Sequence, residues 1–326
     1  MKLKRNLREL YNMTNHKLVI ITGPTAVGKT SISIKLAKKI GGEIISADSM
    51  QVYRNMNIGT AKIKQDEMQG IPHYLIDCLN PDEEFNVAIF QDMAKKAILE
   101  VEKNGHIPII VGGTAFYIQA LLYGIDFSEE NHDKKYRNYL YEIAEKEDGA
   151  ELLYEMLKEK DPEYALTVHM NNVKRVVRAL EYLQFTGRKF SIYNEEQRNK
   201  NADYSFCYFA LNDKRENIYE NINKRVDKMM KDGLLEEVIS LKKSGYQRNL
   251  VSMQGLGYKE ILSYVDNEIS LEEAVDVIKR DTRHFAKRQL TWLRRERDII
   301  FIDKEQYGYN EERILDYMCS RIKEID

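Results

Sequence analysis

The chain has 326 residues but only three cysteines, Cys78, Cys207 and Cys319, far apart in sequence. Three thiols cannot all pair, and none stands at metal-ligand spacing. Their scarcity points to a reducing compartment and against a zinc site. The six histidines, among them His73, His106, His169 and His284, show no ligand spacing either. No apolar run approaches membrane-spanning length. The first 17 residues are basic but lack the apolar block of a secretory signal, so the expectation is a cytoplasmic protein with no membrane partner. A basic transit segment is the alternative reading of that stretch. One-sided charge is also missing. Fifty Lys and Arg stand against 52 Asp and Glu, for a net −2, although 31% of residues are charged. A general polycation is excluded, so any nucleic-acid contact must use a local patch. No internal repeat or low-complexity linker is evident.

What is present begins with Gly23, Pro24, Thr25, Ala26, Val27, Gly28, Lys29 and Thr30. These residues fit the phosphate-binding pattern Gly-x4-Gly-Lys-[Ser/Thr]. An apolar run at 17–22 precedes them, and a segment with apolar residues at helical spacing follows. That strand–loop–helix context is what the chemistry needs. Glycines let backbone amides point at a polyphosphate, and the helix N-terminus adds positive potential. Lys29 brings a point charge, and the Thr30 hydroxyl is a ligand for Mg2+. The ligand class is therefore a magnesium-bound polyphosphate or pyrophosphate ester. A chance Gly/Lys turn would lack both flanking elements.

A chain of this length buries a sizeable core and predicts two lobes, or one domain with a large insertion. Strands are expected at 18–21, 43–46, 74–78, 107–111, 206–211 and 299–302, and helices at 31–40, 87–104, 215–243 and 270–297. Alternating strands and helices imply an α/β fold, a parallel sheet flanked by helices on both faces. Residues 128–200 carry no strand pattern, only charged amphipathic segments, and read as an all-helical insertion. The expected division is a core of 1–127 and 201–326 around an insertion of 128–200.

Strand ends are where such folds place chemistry. Asp48 follows the second strand, in Asp48-Ser49-Met50-Gln51. A carboxylate there serves as a general base or holds magnesium through water; the plain alternative is a capping Asp. After the 107–111 strand stand Gly112, Gly113 and Thr114, where many P-loop ATPases have a magnesium-positioning acid. The missing acid argues against ordinary ATP hydrolysis. The glycines suggest close backbone approach to a ligand, with Thr114 as a hydroxyl donor. Further on, Arg280, Arg283, Lys287, Arg294 and Arg297 fall within an arc of about 100° at roughly 100° per residue. Ile278, Phe285 and Trp292 lie nearly opposite. Leu290 is the exception, falling within the basic arc; otherwise one face should dock on a core while the other offers an acid-free basic ridge to a nucleic-acid backbone. A solvated face is the plain alternative, and it is the reading of Lys174, Arg175 and Arg178 taken alone.

Together these residues resemble the tRNA dimethylallyltransferases. The motifs that carry the resemblance are 23–30, 48–54, 112–117 and Thr-Arg-His-Phe-Ala-Lys-Arg-Gln-Leu-Thr-Trp at 282–292, with 171–181 and 255–260. They span nearly the whole chain, in the family's order. The resemblance implies a P-loop NTPase-like core with a helical insertion. It implies transfer of a dimethylallyl group from dimethylallyl diphosphate to the exocyclic amine of the adenosine 3′ of the anticodon, with magnesium. In that reading the phosphate loop holds a pyrophosphate leaving group. Asp48 is the general base, Thr114 stands beside the attacked carbon, and Arg225, with Arg215 as a second, meets the pyrophosphate. The tRNA anticodon stem-loop is expected on Asp48, Ser49, Met50, Gln51, Thr114, Asn172, Lys174, Arg175, Arg283, Lys287 and Arg288. The acceptor base is expected to be flipped into the site, with the insertion clamping the stem-loop. The chain also lacks the C-terminal zinc finger of many eukaryotic members, so the bacterial form, acting as a monomer, is expected. Two rivals are a P-loop kinase, which would consume ATP and leave the ridge unused, and a nucleotide-gated RNA-binding module, which would tolerate loss of Asp48. A relative that prenylates free adenine nucleotides would need neither the insertion nor the 282–292 motif.

Overall fold

A computed structural model describes residues 16–127 and 134–324. The described residues form two compact units, one of 16–122 and 203–324, the other of 123–127 and 134–202. The first is built on six parallel strands: β1 (Lys17–Thr22), β2 (Gly42–Ser46), β3 (His73–Tyr74), β4 (Ile107–Val111), β5 (Ser205–Asn212) and β6 (Ile299–Asp303). Their order is β3-β2-β4-β1-β5-β6. The central strands read as unbroken apolar runs because helices cover both faces of a parallel sheet. Leu18, Val19, Ile20 and Ile21 of β1 are all fully buried.

The order explains where the site falls. Strands β1 and β4 are neighbours, as are β2 and β4, with Ile21 beside Val111 and Val111 beside Ser46. The loops leaving β1, β2 and β4 therefore emerge side by side at the carboxyl edge, although the strand ends Thr22, Ser46 and Val111 are far apart in sequence.

Several expected elements change. The strand expected at 74–78 stops at Tyr74. Leu75 and Asp77 take left-handed backbone, φ 61° and 53°, which no strand accommodates. The helix expected over 215–243 is two helices, Arg215–Lys231 and Leu234–Lys243, separated at Gly233 with φ 103°. The last long helix spans Leu271–Leu293, capped at its start by the Ser270 side chain, and Arg294 to Arg297 lie beyond it. Among the described residues no helix is long and apolar enough to cross a membrane.

The second unit is helical, with helices at Lys134–Ala144, Gly149–Lys160, Pro162–Ala165, Val173–Thr186 and Phe190–Asn199. It has its own core, in which Leu140, Leu153, Leu157 and Val176 are fully buried. It begins at 123 rather than 128 and ends at 202, because Tyr193 donates to the Asp126 carbonyl and Lys200 to that of Gly124.

Candidate active site

The phosphate loop runs from Gly23 to Gly28, and helix Lys29–Ile40 starts directly after it. Gly28 closes the loop in left-handed backbone, φ 98°, which turns the chain into the helix. Lys29 Nζ donates to the carbonyls of Gly23 and Pro24, both at 2.9 Å. Burial, and then the nearby Arg225 guanidinium, push its ammonium down to about 7, with Asp48 opposing both. Burial also lowers the Arg225 guanidinium, again opposed by Asp48. Arg225 Nη1 donates to Thr25 Oγ1 at 3.2 Å. Lys29, Arg225 and Asp48 are each half-buried and within electrostatic reach of one another, and an anion bound beside the two basic groups would favour their charged forms. Thr30 is exposed at the helix start.

The β2 loop holds Asp48. Its Oδ1 accepts the amides of Met50 at 2.9 Å and Gln51 at 3.3 Å. The capping reading of this residue is thus realised, and no donor among the described residues reaches Oδ2. Gln51 Nε2 donates to the carbonyls of Thr60 and Ala61, and Met50 packs on Gly255. The 57–62 segment is itself anchored. Glu237 accepts the amides of Asn57, Ile58 and Gly59 and the Tyr258 hydroxyl. Buried Lys62 donates to the Tyr53 carbonyl and to Asp77.

The β4 loop meets both of the others. Thr22 Oγ1 donates to the Gly112 carbonyl at 2.9 Å, and the Ser49 amide donates to Thr114 Oγ1 at 3.3 Å. A β-carbon at Gly112 would stand 2.2 Å from the Ala47 carbonyl oxygen. The acid that many P-loop ATPases carry after this strand therefore has no room here. At Gly113 the obstacle would be Gln289, at 2.2 Å. Gln289 and Tyr117 are the residues that sequence reasoning passed over, although both stand in motifs noted above. Tyr117 stacks on Phe90 with ring centroids 4.9 Å apart. Burial, then Tyr53 and Asp48, push its hydroxyl up to about 12. The signal for both residues is tertiary, and spacing along the chain does not carry it.

The basic ridge is only partly as expected. Helix Leu271–Leu293 buries Ala274, Ile278, Ala286, Gln289 and Leu293, and Lys287 and Arg280 are exposed. Phe285 and Trp292 are half-buried. Arg283 is half-buried and donates to Asn223 Oδ1 at 2.7 Å, which ties it to the helix that carries Arg225. Arg280 bonds Asp281, so its surroundings are not free of acid. Arg288 lies over the Phe285 ring. Arg215 is exposed and donates to the Tyr219 hydroxyl. Asn172, Lys174 and Arg175 are exposed at the start of helix Val173–Thr186 in the second unit, where Arg178 lies over Phe190.

The model of the IPP transferase family matches residues 51–296. The chain belongs to this family. It is 60% identical over 291 residues to a tRNA dimethylallyltransferase of Lachnoclostridium phytofermentans, covering 89% of this chain and 93% of that one. A tRNA dimethylallyltransferase of Acetivibrio thermocellus is 48% identical, covering 91% and 95%. Among solved structures, the full-length tRNA isopentenylpyrophosphate transferase of Bacillus halodurans superposes with a TM-score of 0.72 at 40% identity, covering 95% and 98%. A eukaryotic dimethylallyltransferase acting on tRNA superposes at 0.75 and 32% identity, covering 88% and 74%. The six-stranded P-loop-like sheet of this IPP transferase thus accords with the fold of its solved relatives.

Proposed function

We propose that this member of the IPP transferase family moves a dimethylallyl group from dimethylallyl diphosphate to the exocyclic amine of the adenosine 3′ of the anticodon of tRNA, releasing pyrophosphate. The observation that carries the residue assignment is that Lys29, just past β1, and Arg225, which donates to Thr25 of the same loop, lie within electrostatic reach of Asp48, just past β2. An allylic C–O bond that breaks ahead of nucleophilic attack leaves charge on the diphosphate. The loop amides, Lys29 and Arg225 face that charge and stabilise it where it develops. The adenine amine is barely basic before attack and becomes strongly acidic as the new C–N bond forms. Asp48 takes that proton through Oδ2, while the Met50 and Gln51 amides hold Oδ1. Thr114 is held by Ser49 beside the same carboxylate loop.

Magnesium fits this site as a diphosphate-bound ion. Thr30 offers an exposed hydroxyl at the helix start, and among the described residues no three His, Cys, Asp or Glu side chains form a dedicated cage. Thr30 would hold the ion, with diphosphate oxygens and water filling the remaining positions. Bound there, it would neutralise charge on the leaving group. On the tRNA side, the exposed cations Lys287, Lys174 and Arg175 are assigned to the RNA backbone, with Arg283 and Arg288 beside Lys287. The protein is proposed to act as a monomer. The deciding experiment is one incubation with labelled dimethylallyl diphosphate, magnesium, and either tRNA or AMP. Label is expected in tRNA alone. Label in AMP, or a requirement for ATP, overturns the reading.

A further inference from the structure

The buried side chain of Gln289 joins two loops that lie far apart in sequence. Its Oε1 accepts the Thr25 amide at 2.9 Å, and its Nε2 donates to the Gly113 carbonyl at 2.9 Å. The side chain is 6% exposed, so both of its polar ends work where water does not replace them. The contacts continue on either side. Thr25 accepts from Arg225 through its hydroxyl, and Thr114, next to Gly113, accepts the Ser49 amide. One line of hydrogen bonds and adjacent residues thus runs from the diphosphate cation to the loop of the base, and Gln289 is its middle link. The fit is close, since only a glycine at 113 leaves room for the amide.

The geometry points to Gln289 as a positioning residue that sets the distance between the phosphate loop and the Thr114 loop. Substitution reactions need the attacking and leaving atoms in line, and a misplacement of about 1 Å costs roughly a hundredfold in rate. The leaving group rests on one of these loops, while the other stands beside the base. Among side chains of this length, only an amide both accepts from Thr25 and donates to Gly113 at every pH. Methionine has a similar length but does neither. A carboxylate accepts from Thr25 yet repels the Gly113 carbonyl, whereas its protonated form again accepts and donates.

This inference rests on the prenyl-transfer reading, and wild-type protein assayed alongside separates the two. Single-turnover transfer to tRNA is measured with both substrates saturating, for wild type, Gln289→Met and Gln289→Glu. Gln289→Met is expected to slow transfer about 10- to 100-fold. Its dissociation constants for tRNA and for an unreactive S-thiolo analogue of dimethylallyl diphosphate should stay within about threefold of wild type, since the groups that bind the anion are untouched. For Gln289→Glu, the rate relative to wild type should rise as pH falls from about 8.5 to about 6, as the carboxyl regains its proton. A purely structural role would not produce that recovery. A Gln289→Met rate within about threefold of wild type, a loss matched by weaker analogue binding, or a flat pH ratio for Gln289→Glu overturns the inference. No transfer by wild type overturns the functional reading, and this inference with it.

Discussion

At the scale of single residues, Asp48 and Lys29 make opposite demands on the same pocket. Asp48→Asn keeps the size of the side chain and its acceptor for the Met50 and Gln51 amides, but it cannot take up a proton. Single-turnover transfer is expected to fall about a hundred- to ten-thousand-fold, with dissociation constants for both substrates unchanged. Normal transfer that needs much more magnesium would instead make Asp48 a metal-positioning group. Lys29 yields a prediction about protons. Its folded pKa, about 7, lies below the ordinary lysine value of 10.5. The fold therefore favours the neutral amine. This burial cost is full below about pH 7, shrinks as pH rises and is gone above about 10.5. A diphosphate in the loop restores the charged form. Binding of the S-thiolo analogue at about pH 8.5 should then take up close to one proton, read by calorimetry in two buffers of different ionisation heat. Near pH 6 the uptake should vanish. An uptake that persists in Lys29→Met would assign the proton to another group.

At the scale of elements, helix Leu271–Leu293 serves two sides at once. Its buried face places Gln289 between the site loops, and its exposed face carries Arg280 and Lys287. Replacing Arg280 and Lys287 together with Ala should lower the slope of log tRNA affinity against log salt by up to about two, and leave analogue binding unchanged. An unaltered slope would remove this ridge from the RNA interface. Arg283→Ala should behave differently. It leaves Asn223 without its partner on the helix that carries Arg225, so analogue affinity should fall along with tRNA affinity. The strands were legible in the sequence because strands buried on both faces must be apolar throughout, as Leu18 to Ile21 are. The phosphate loop was legible because its residues are consecutive. The end of β3 was not, since Leu75 and Asp77 adopt left-handed backbone that their residue types do not advertise. Asp48 stood out by following a strand. Gln289 did not, because its role depends on Thr25 and Gly113, far off in sequence. Arg283 read as a free cation for the same reason, its partner Asn223 being 60 residues away.

At the scale of the molecule, the two units are stabilised by separate cores. One gathers on the sheet around Val19, Ile21, Ile109 and Phe209, and the other around Leu140, Leu153, Leu157 and Val176. The proposed diphosphate contacts, from the phosphate loop to Arg225, all belong to the first unit. A ligand stabilises whatever must be folded to bind it, by about 2.7 kcal/mol at a concentration near 100 times its dissociation constant. Hydrogen exchange with the S-thiolo analogue and magnesium should therefore slow in 23–30, 47–51, 112–114 and 215–231. Amides of helix Val173–Thr186, which reports on the second core, should exchange at the rate of the free protein. Adding a tRNA anticodon stem-loop should then slow exchange around Asn172 to Arg175, the cations assigned to RNA in that unit. Slowing across the second core with the analogue alone would mean that the two cores open as one cooperative unit. Absence of slowing in the second unit with the stem-loop present would take Lys174 and Arg175 out of the RNA interface and leave tRNA binding to the first unit.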